Sequence, residues 1–280
     1  MACTIALVNM KGGVGKSTLA VNIAWEYATA PWHRRVLLAD LDPQFNASQY
    51  LIGQPSYVKT VLEDGKPTMW DLFEQNTRIP GQPLSPFDPH AAILSFRKYR
   101  AGGQLDLIPS RLELAFSLRN PAQKESLLDK SLTQVKEDYD VIVIDCPPTE
   151  SILTLAAYLT SDYVLVPVKP EYLSSIGLPL LRQSLGDFHR ENPGHDLKVA
   201  GVVFNATSQY SPEELLAKSD VRKLAKGFHW KIFDAEVPYS RSFPKGAREG
   251  KPIFSTSYAR GTTLDRVASF ARELATVIGI

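Results

Sequence analysis

The stretch Asn9 to Thr18, NMKGGVGKST, decides how the rest of this 280-residue chain is read. An apolar run, Thr4 to Val8, precedes it and a helical pattern, Leu19 to Tyr27, follows, so a glycine-rich turn joins a strand to a helix. Gly12, Gly13 and Gly15 let backbone N–H groups point inward around an anion. Lys16 reaches the outer phosphates of a nucleotide, and the Ser17 hydroxyl can hold Mg²⁺. The helix opening at Lys16 turns its positive dipole end toward the same point. Gly12 to Thr18, with Val14 and Thr18 included, is therefore read as a phosphate-binding loop. The pattern G-x-x-x-x-G-K-[ST] is nevertheless broken: its first glycine would fall at Met10, and the next residue is a second lysine, Lys11.

Around this loop, apolar β-branched runs recur at Val36 to Ala39, Leu105 to Ile108, Val141 to Ile144, Tyr163 to Val168 and Val199 to Phe204. Continuous runs of this kind, rather than alternating ones, predict parallel strands covered on both faces. Helical patterns lie between them at Lys124 to Val135, Leu173 to Phe188 and Pro212 to Lys226, the last opened by Ser211-Pro212 with Glu213 and Glu214 behind it. The expected fold class is α/β: a doubly wound, mostly parallel sheet with helices on both faces. Residues 1–280 are expected to form one domain, with an irregular proline-rich elaboration at about 53–103 that holds one short helix near Met69 to Phe73. Thr263 to Ile278 spaces Leu264, Val267, Phe270, Leu274 and Val277 as one apolar helix face. Its polar face mixes Asp265 and Glu273 with Arg266 and Arg272, which suits a core helix better than a membrane anchor.

Composition narrows the classes. With 31 basic and 30 acidic side chains, nucleic acid could be met only by a local patch. Two cysteines, Cys3 and Cys146, are too few for a disulfide framework, and reduced cytoplasm is the expected compartment. The longest apolar run, Ile152 to Leu159, falls far short of the roughly 20 residues that span a bilayer, and a soluble protein is expected.

Two further segments carry carboxylates to the ends of strands. In VLLADLDPQFNAS, Val36 to Ser48, alternation along the strand directs Asp40 and Asp42 to one side, toward the crevice where open α/β sheets bind ligands. In YDVIVIDCPPT, Tyr139 to Thr149, an apolar strand ends in Asp145, the pattern of a Walker B carboxylate on Mg²⁺. Cys146 beside it reads as a small buried filler.

Together these segments resemble the ParA/MinD group of deviant Walker A ATPases, and ParA (Soj-like) partition proteins without an N-terminal helix-turn-helix domain most of all. The resemblance extends through LDLIPSRLELA, SDYVLVPVKPEYLSSIGL, KVAGVVFNAT and GKPIF. It implies ATP and Mg²⁺ as cofactors and a homodimer formed on ATP, in which Lys11 reaches the phosphates held by the partner subunit. It further implies Asp42 as the water-positioning carboxylate, Asp40, Asp145 and Ser17 on the Mg²⁺ side, Asn205 at adenine and Pro238 closing the base pocket. The group usually reads glutamate-alanine where this chain has Lys245-Gly246.

The resemblance also implies non-specific DNA binding in the nucleoid and a ParB-like or other cargo adaptor that stimulates hydrolysis, with no stable membrane association. Between Lys218 and Lys251 the chain carries a local excess of five positive charges, with Lys218, Arg222, Lys223, Arg241, Lys245 and Arg248 as candidate DNA contacts. The alternatives are a MinD-like ATPase on a membrane or a metabolic or assembly ATPase of the same fold. An iron–sulfur carrier would need a pair of cluster cysteines, and neither Cys3 nor Cys146 stands in a C-x-x-C.

Overall fold

The computed structural model describes residues 2–75, 86–119, 121, 123–172, 174–208, 211–256 and 259–280. Among them, strands β1 (Cys3–Leu7), β2 (Arg35–Asp40), β3 (Leu94–Lys98), β4 (Gln104–Ile108), β5 (Val141–Asp145), β6 (Tyr163–Val168), β7 (Lys198–Thr207) and β8 (Val237–Pro238) form one sheet. Its order is β3-β4-β2-β5-β1-β6-β7-β8. Every pairing is parallel except that of β3 with β4. The helices are α1 (Lys16–Ala28), α2 (Asn46–Ile52), α3 (Gln54–Tyr57), α4 (Met69–Glu74), α5 (Pro89–Ala92) and α6 (Leu127–Thr133). They continue with α7 (Ile152–Thr160), α8 (Ser174–Glu191), α9 (Pro212–Gly227), α10 (Ser242–Glu249) and α11 (Gly261–Ile278).

Neighbouring residues of the central strands β1, β2 and β5 enter opposite cores, as a doubly covered sheet requires. Ile5, Leu7, Val36, Leu38, Val141 and Val143 pack with α1 and α11. Ala6, Val8, Leu37, Ala39, Ile142 and Ile144 pack with α6 to α9 on the other face. The caps read from sequence operate: Ser211 Oγ accepts from the Glu214 N–H at the start of α9, and Pro212 occupies its first turn. The last helix is a core helix, with Val267, Phe270 and Leu274 buried against the sheet. Its far side is fastened too, because Glu273 accepts the N–H groups of Asp234 and Ala235 at 2.9 and 2.8 Å.

The 53–103 segment holds more structure than the single helix expected. α3 runs into a π-helical stretch, Val58–Glu63, and α4 is closed by a reciprocal Thr68–Asp71 capping box. The edge strand β3 then turns back against β4. Its half-exposed pattern, with Arg97 and Lys98 at the end, is that of a protected edge and carries a weak apolar signal. Pro80 and Pro83 fall outside the described residues. The helix expected over Lys124 to Val135 is shorter, α6 followed by a 3₁₀ turn at Lys136–Asp138.

β5 lies between β1 and β2, with Asp145 in register with both Leu7 and Asp40. The glycine loop after β1, the Asp40–Asp42 turn after β2 and the end of β5 therefore meet at one carboxyl-end crevice, where open α/β sheets place their ligands.

Candidate functional site

The glycine loop is fixed from both sides. At its entry the Asn9 amide donates to the Pro167 carbonyl at 2.7 Å, while its oxygen accepts the Lys11 N–H at 2.9 Å. At its exit Gly15 caps α1 with φ of +84°, a left-handed conformation that favours glycine. A Cβ there would stand 2.4 Å from Asn205 Nδ2. That amide donates to the Val14 carbonyl at 2.8 Å. Lys16 is buried and folds over the loop, its Nζ 3.1 Å from the Asn9 carbonyl and 3.3 Å from that of Lys11. Burial lowers its pKa, and Asp145 pulls in the opposite direction. Over the loop opens a cleft of about 840 Å³, lined among others by Gly12, Gly13, Gly15, Lys16, Ser17, Thr18, Asp42, Tyr50 and Arg248.

Three carboxylates gather at the ends of β2 and β5 beside the loop, Asp42 alone among them lining the cleft, and they differ in what satisfies them. Asp40 accepts the Ser48 N–H at 2.8 Å and its hydroxyl at 2.6 Å, and also the Asp42 N–H at 3.2 Å. Burial nevertheless pushes its pKa up to about 7. Asp42 lines the cleft, accepts the Gln44 N–H at 2.9 Å and is raised by burial. Asp145 is fully buried, and among the described residues neither of its oxygens has a hydrogen-bond partner. Burial raises it well above the carboxylate range, with Asp40 adding to the rise and Ser17 and Lys16 opposing it. An orphaned carboxylate beside a glycine loop and a lysine fits a bound cation, because a buried charge without a partner is otherwise costly. Among the described residues no group of three or more His, Cys, Asp or Glu is placed to hold a metal. A cation here must therefore draw most ligands from water and phosphate, which suits Mg²⁺. The residues present thus fit both Mg²⁺ and a nucleoside triphosphate. Cys146 is buried, and its thiol is held protonated, first by burial and then by Asp145.

Lys11 behaves unlike Lys16. It is absent from the lining of its own cleft, and its Nζ lies 2.7 Å from Glu171 Oε2, while the other oxygen of that carboxylate, Oε1, pairs with Lys169. Beside it the start of α8 packs on the loop, a Cβ at Gly177 standing 3.6 Å from Asn9 Oδ1. Tyr172, just before α8, and Ile176 and Leu180 within it are exposed.

The family model for the AAA domain designated AAA_31 matches residues 2–199. The sporulation initiation inhibitor protein Soj of Bacillus subtilis is 29% identical over 256 residues, covering 90% of each chain. The chromosome partitioning protein ParA of Myxococcus xanthus is 31% identical over 254 residues, 89% of this chain and 80% of its own. The chain belongs to this family, the ParA/MinD group of deviant Walker A ATPases. The fold agrees: a substituted McdA of Cyanothece solved as its ATP complex superposes with a TM-score of 0.80 at 19% identity, over 100% of this chain and 97% of that one.

In this ParA/MinD chain the residues assigned to the base, Asn205 and Pro238, sit at successive positions outward from the loop. Asn205 pairs with Val237 across β7 and β8, and Pro238 lines a second cleft of about 1180 Å³ with Tyr239, Arg241, Lys245 and Arg248. α10 forms the wall between the two clefts. Its Gly246 explains the departure from the group's glutamate-alanine: a Cβ there would stand 2.6 Å from the Lys251 carbonyl and 3.0 Å from Tyr50 Oη. Restoring alanine, Gly246→Ala, is expected to destabilise the fold by about 1–3 kcal/mol, the cost of overpacking. Urea unfolding checks this, and an unchanged midpoint refutes it.

The basic patch proposed from sequence divides. Lys218 is buried between Glu214 at 2.8 Å and Glu236 at 2.7 Å, so it is withdrawn as a DNA contact. Arg222 also reaches Glu236, at 3.3 Å, and Lys223 pairs with Asp220 at 3.3 Å, though both are exposed. Arg241, Lys245 and Arg248 belong instead to the wall of the second cleft. Among the described residues no helix is long and apolar enough to cross a membrane.

Proposed function

We propose that the chain is a ParA-type ATP-hydrolysing switch. ATP brings two copies face to face, the dimer binds DNA without sequence preference, and a ParB-like or other cargo adaptor stimulates hydrolysis and releases it. Such a cycle partitions or positions a plasmid, a chromosome or another cargo, and places the protein in the cytoplasm on the nucleoid.

The observation that carries this reading is the position of Lys11. A lysine next to the glycine loop that does not face its own cleft is available to another subunit's phosphates, and the exposed apolar residues at the start of α8 offer surface for such a subunit to cover. Within one subunit Lys16 and the loop N–H groups hold the phosphates, Asp42 orients the attacking water, and Ser17 and Asp145 take the Mg²⁺ side, Asp145 through water. Asp40, already engaged by Ser48, shapes the Asp42 turn as well as adding negative charge to that side. Bound Mg²⁺ supplies charge neutralisation at the transferred phosphate.

The test is co-sedimentation of the full chain with DNA in ATP, ADP or no nucleotide across a salt series. Binding in ATP alone, falling steeply with salt, is expected. Equal binding in all three states sinks the switch. ATP-dependent retention on anionic vesicles instead of DNA would favour the MinD-like alternative, against which the docking of α11 into the core weighs.

A further inference from the structure

The charges around the phosphate cleft do not balance for an anionic ligand. The one carboxylate lining the cleft, Asp42, offsets the one lysine facing it, Lys16, since Lys11 is turned to Glu171, and this leaves the negative charge of a bound phosphate chain unmatched. Magnesium offsets part of this, but a nucleoside triphosphate with one Mg²⁺ still carries net negative charge. A further cation in the same subunit would be stabilising there, in a cleft where water screens less than in bulk.

Arg248 is placed to be that cation. It lines both the cleft over the glycine loop and the second cleft that contains Pro238, so its side chain stands at their junction. The neighbouring acid is taken: Glu249 lies 3.3 Å from Lys251 and 3.8 Å from Lys245. Arg248 itself makes no ion pair among the described residues, and it is exposed. Its helix is firmly seated, because Gly246 brings α10 into close approach with Tyr50 of α2. We infer that Arg248 binds the nucleotide in cis, its planar guanidinium donating to phosphate oxygen at the ribose end of the phosphate chain, where the two clefts join. The inference rests on the nucleotide reading of the loop, and it moves Arg248 from the DNA surface to the nucleotide.

The experiment titrates the full chain with a fluorescent ADP analogue over a range of salt concentrations. Arg248→Gln is expected to weaken binding by about 10- to 100-fold, the loss typical of a hydrogen bond to a charged group. Its salt dependence should be shallower than that of the unaltered chain, and its thermal midpoint without nucleotide unchanged, since the residue is exposed. Arg248→Lys, which keeps the charge but not the fork, should recover part of the affinity. An unaltered affinity in Arg248→Gln overturns the assignment alone, and if ATP-dependent DNA binding falls in the same variant, the residue belongs to the DNA surface. Failure of the unaltered chain to bind the analogue overturns the nucleotide reading and this inference with it.

Discussion

Lys11→Ala is expected to lower ATP turnover by about 10³-fold or more while leaving nucleotide affinity of the single subunit within a few-fold of the unaltered chain. The size follows from a cation supplied in trans to the transferred phosphate, which in other nucleotide hydrolases is worth about 10³ to 10⁵ in rate. The separation from binding follows from geometry, since Lys16 rather than Lys11 faces the cleft. Lys11 must first leave Glu171, but that pair is 24% and 42% exposed, and an exposed ion pair contributes only about 0–1 kcal/mol. Steady-state turnover together with light scattering in ATP checks both halves. Full turnover in the variant refutes the trans role, whereas loss of ADP binding would show that Lys11 serves its own subunit.

Asp145→Asn is expected to have two opposite effects. The nucleotide-free protein should become more stable by about 1–3 kcal/mol at neutral pH, because a fully buried carboxylate with no hydrogen-bond partner among the described residues is replaced by a neutral side chain. The stabilisation conferred by ATP with Mg²⁺ should be lost, because that carboxylate is the group a cation would satisfy. The sign with pH is fixed. Folding raises the Asp145 pKa, so the folded state holds the proton more tightly and nucleotide-free stability falls as pH rises above the ordinary carboxylate value. Asparagine removes that part of the slope, so the gain should be larger at high pH than at low. Urea unfolding at two pH values, with and without ATP and Mg²⁺, measures all of this. A variant less stable than the parent without nucleotide would show that the carboxylate is satisfied in the folded protein.

What was legible in the sequence was local. The loop, Asp42 and Asp145 could be placed because each sits within a few residues of a strand end, and a strand end fixes direction. The partners of those residues were hidden by distance along the chain. Glu171 is 160 residues from Lys11, and Asn205 lies 191 from Val14. Asn9 stands beside the loop, but its role depends on Pro167, 158 residues away. Lys218 is a different case: its i, i+4 spacing from Glu214 was visible and argued for a paired lysine, but counting charge over a segment ignored it. The short α2 and α10 gave no periodic signal long enough to register, although they form one side of the cleft.

One buried side chain sets how that side can move. Asn22, in the second turn of α1, donates to the Thr18 carbonyl at 2.8 Å and to Tyr50 Oη at 3.0 Å. Its oxygen accepts the N–H of Ile253, just beyond α10, at 2.8 Å. Three segments remote in sequence are thus clasped by a single amide, and the floor of the cleft and its α10 wall are mechanically one piece. The start of α1, α2 and the turn beyond α10 must therefore shift together, and the nucleotide is received by a single jaw rather than by three independent segments.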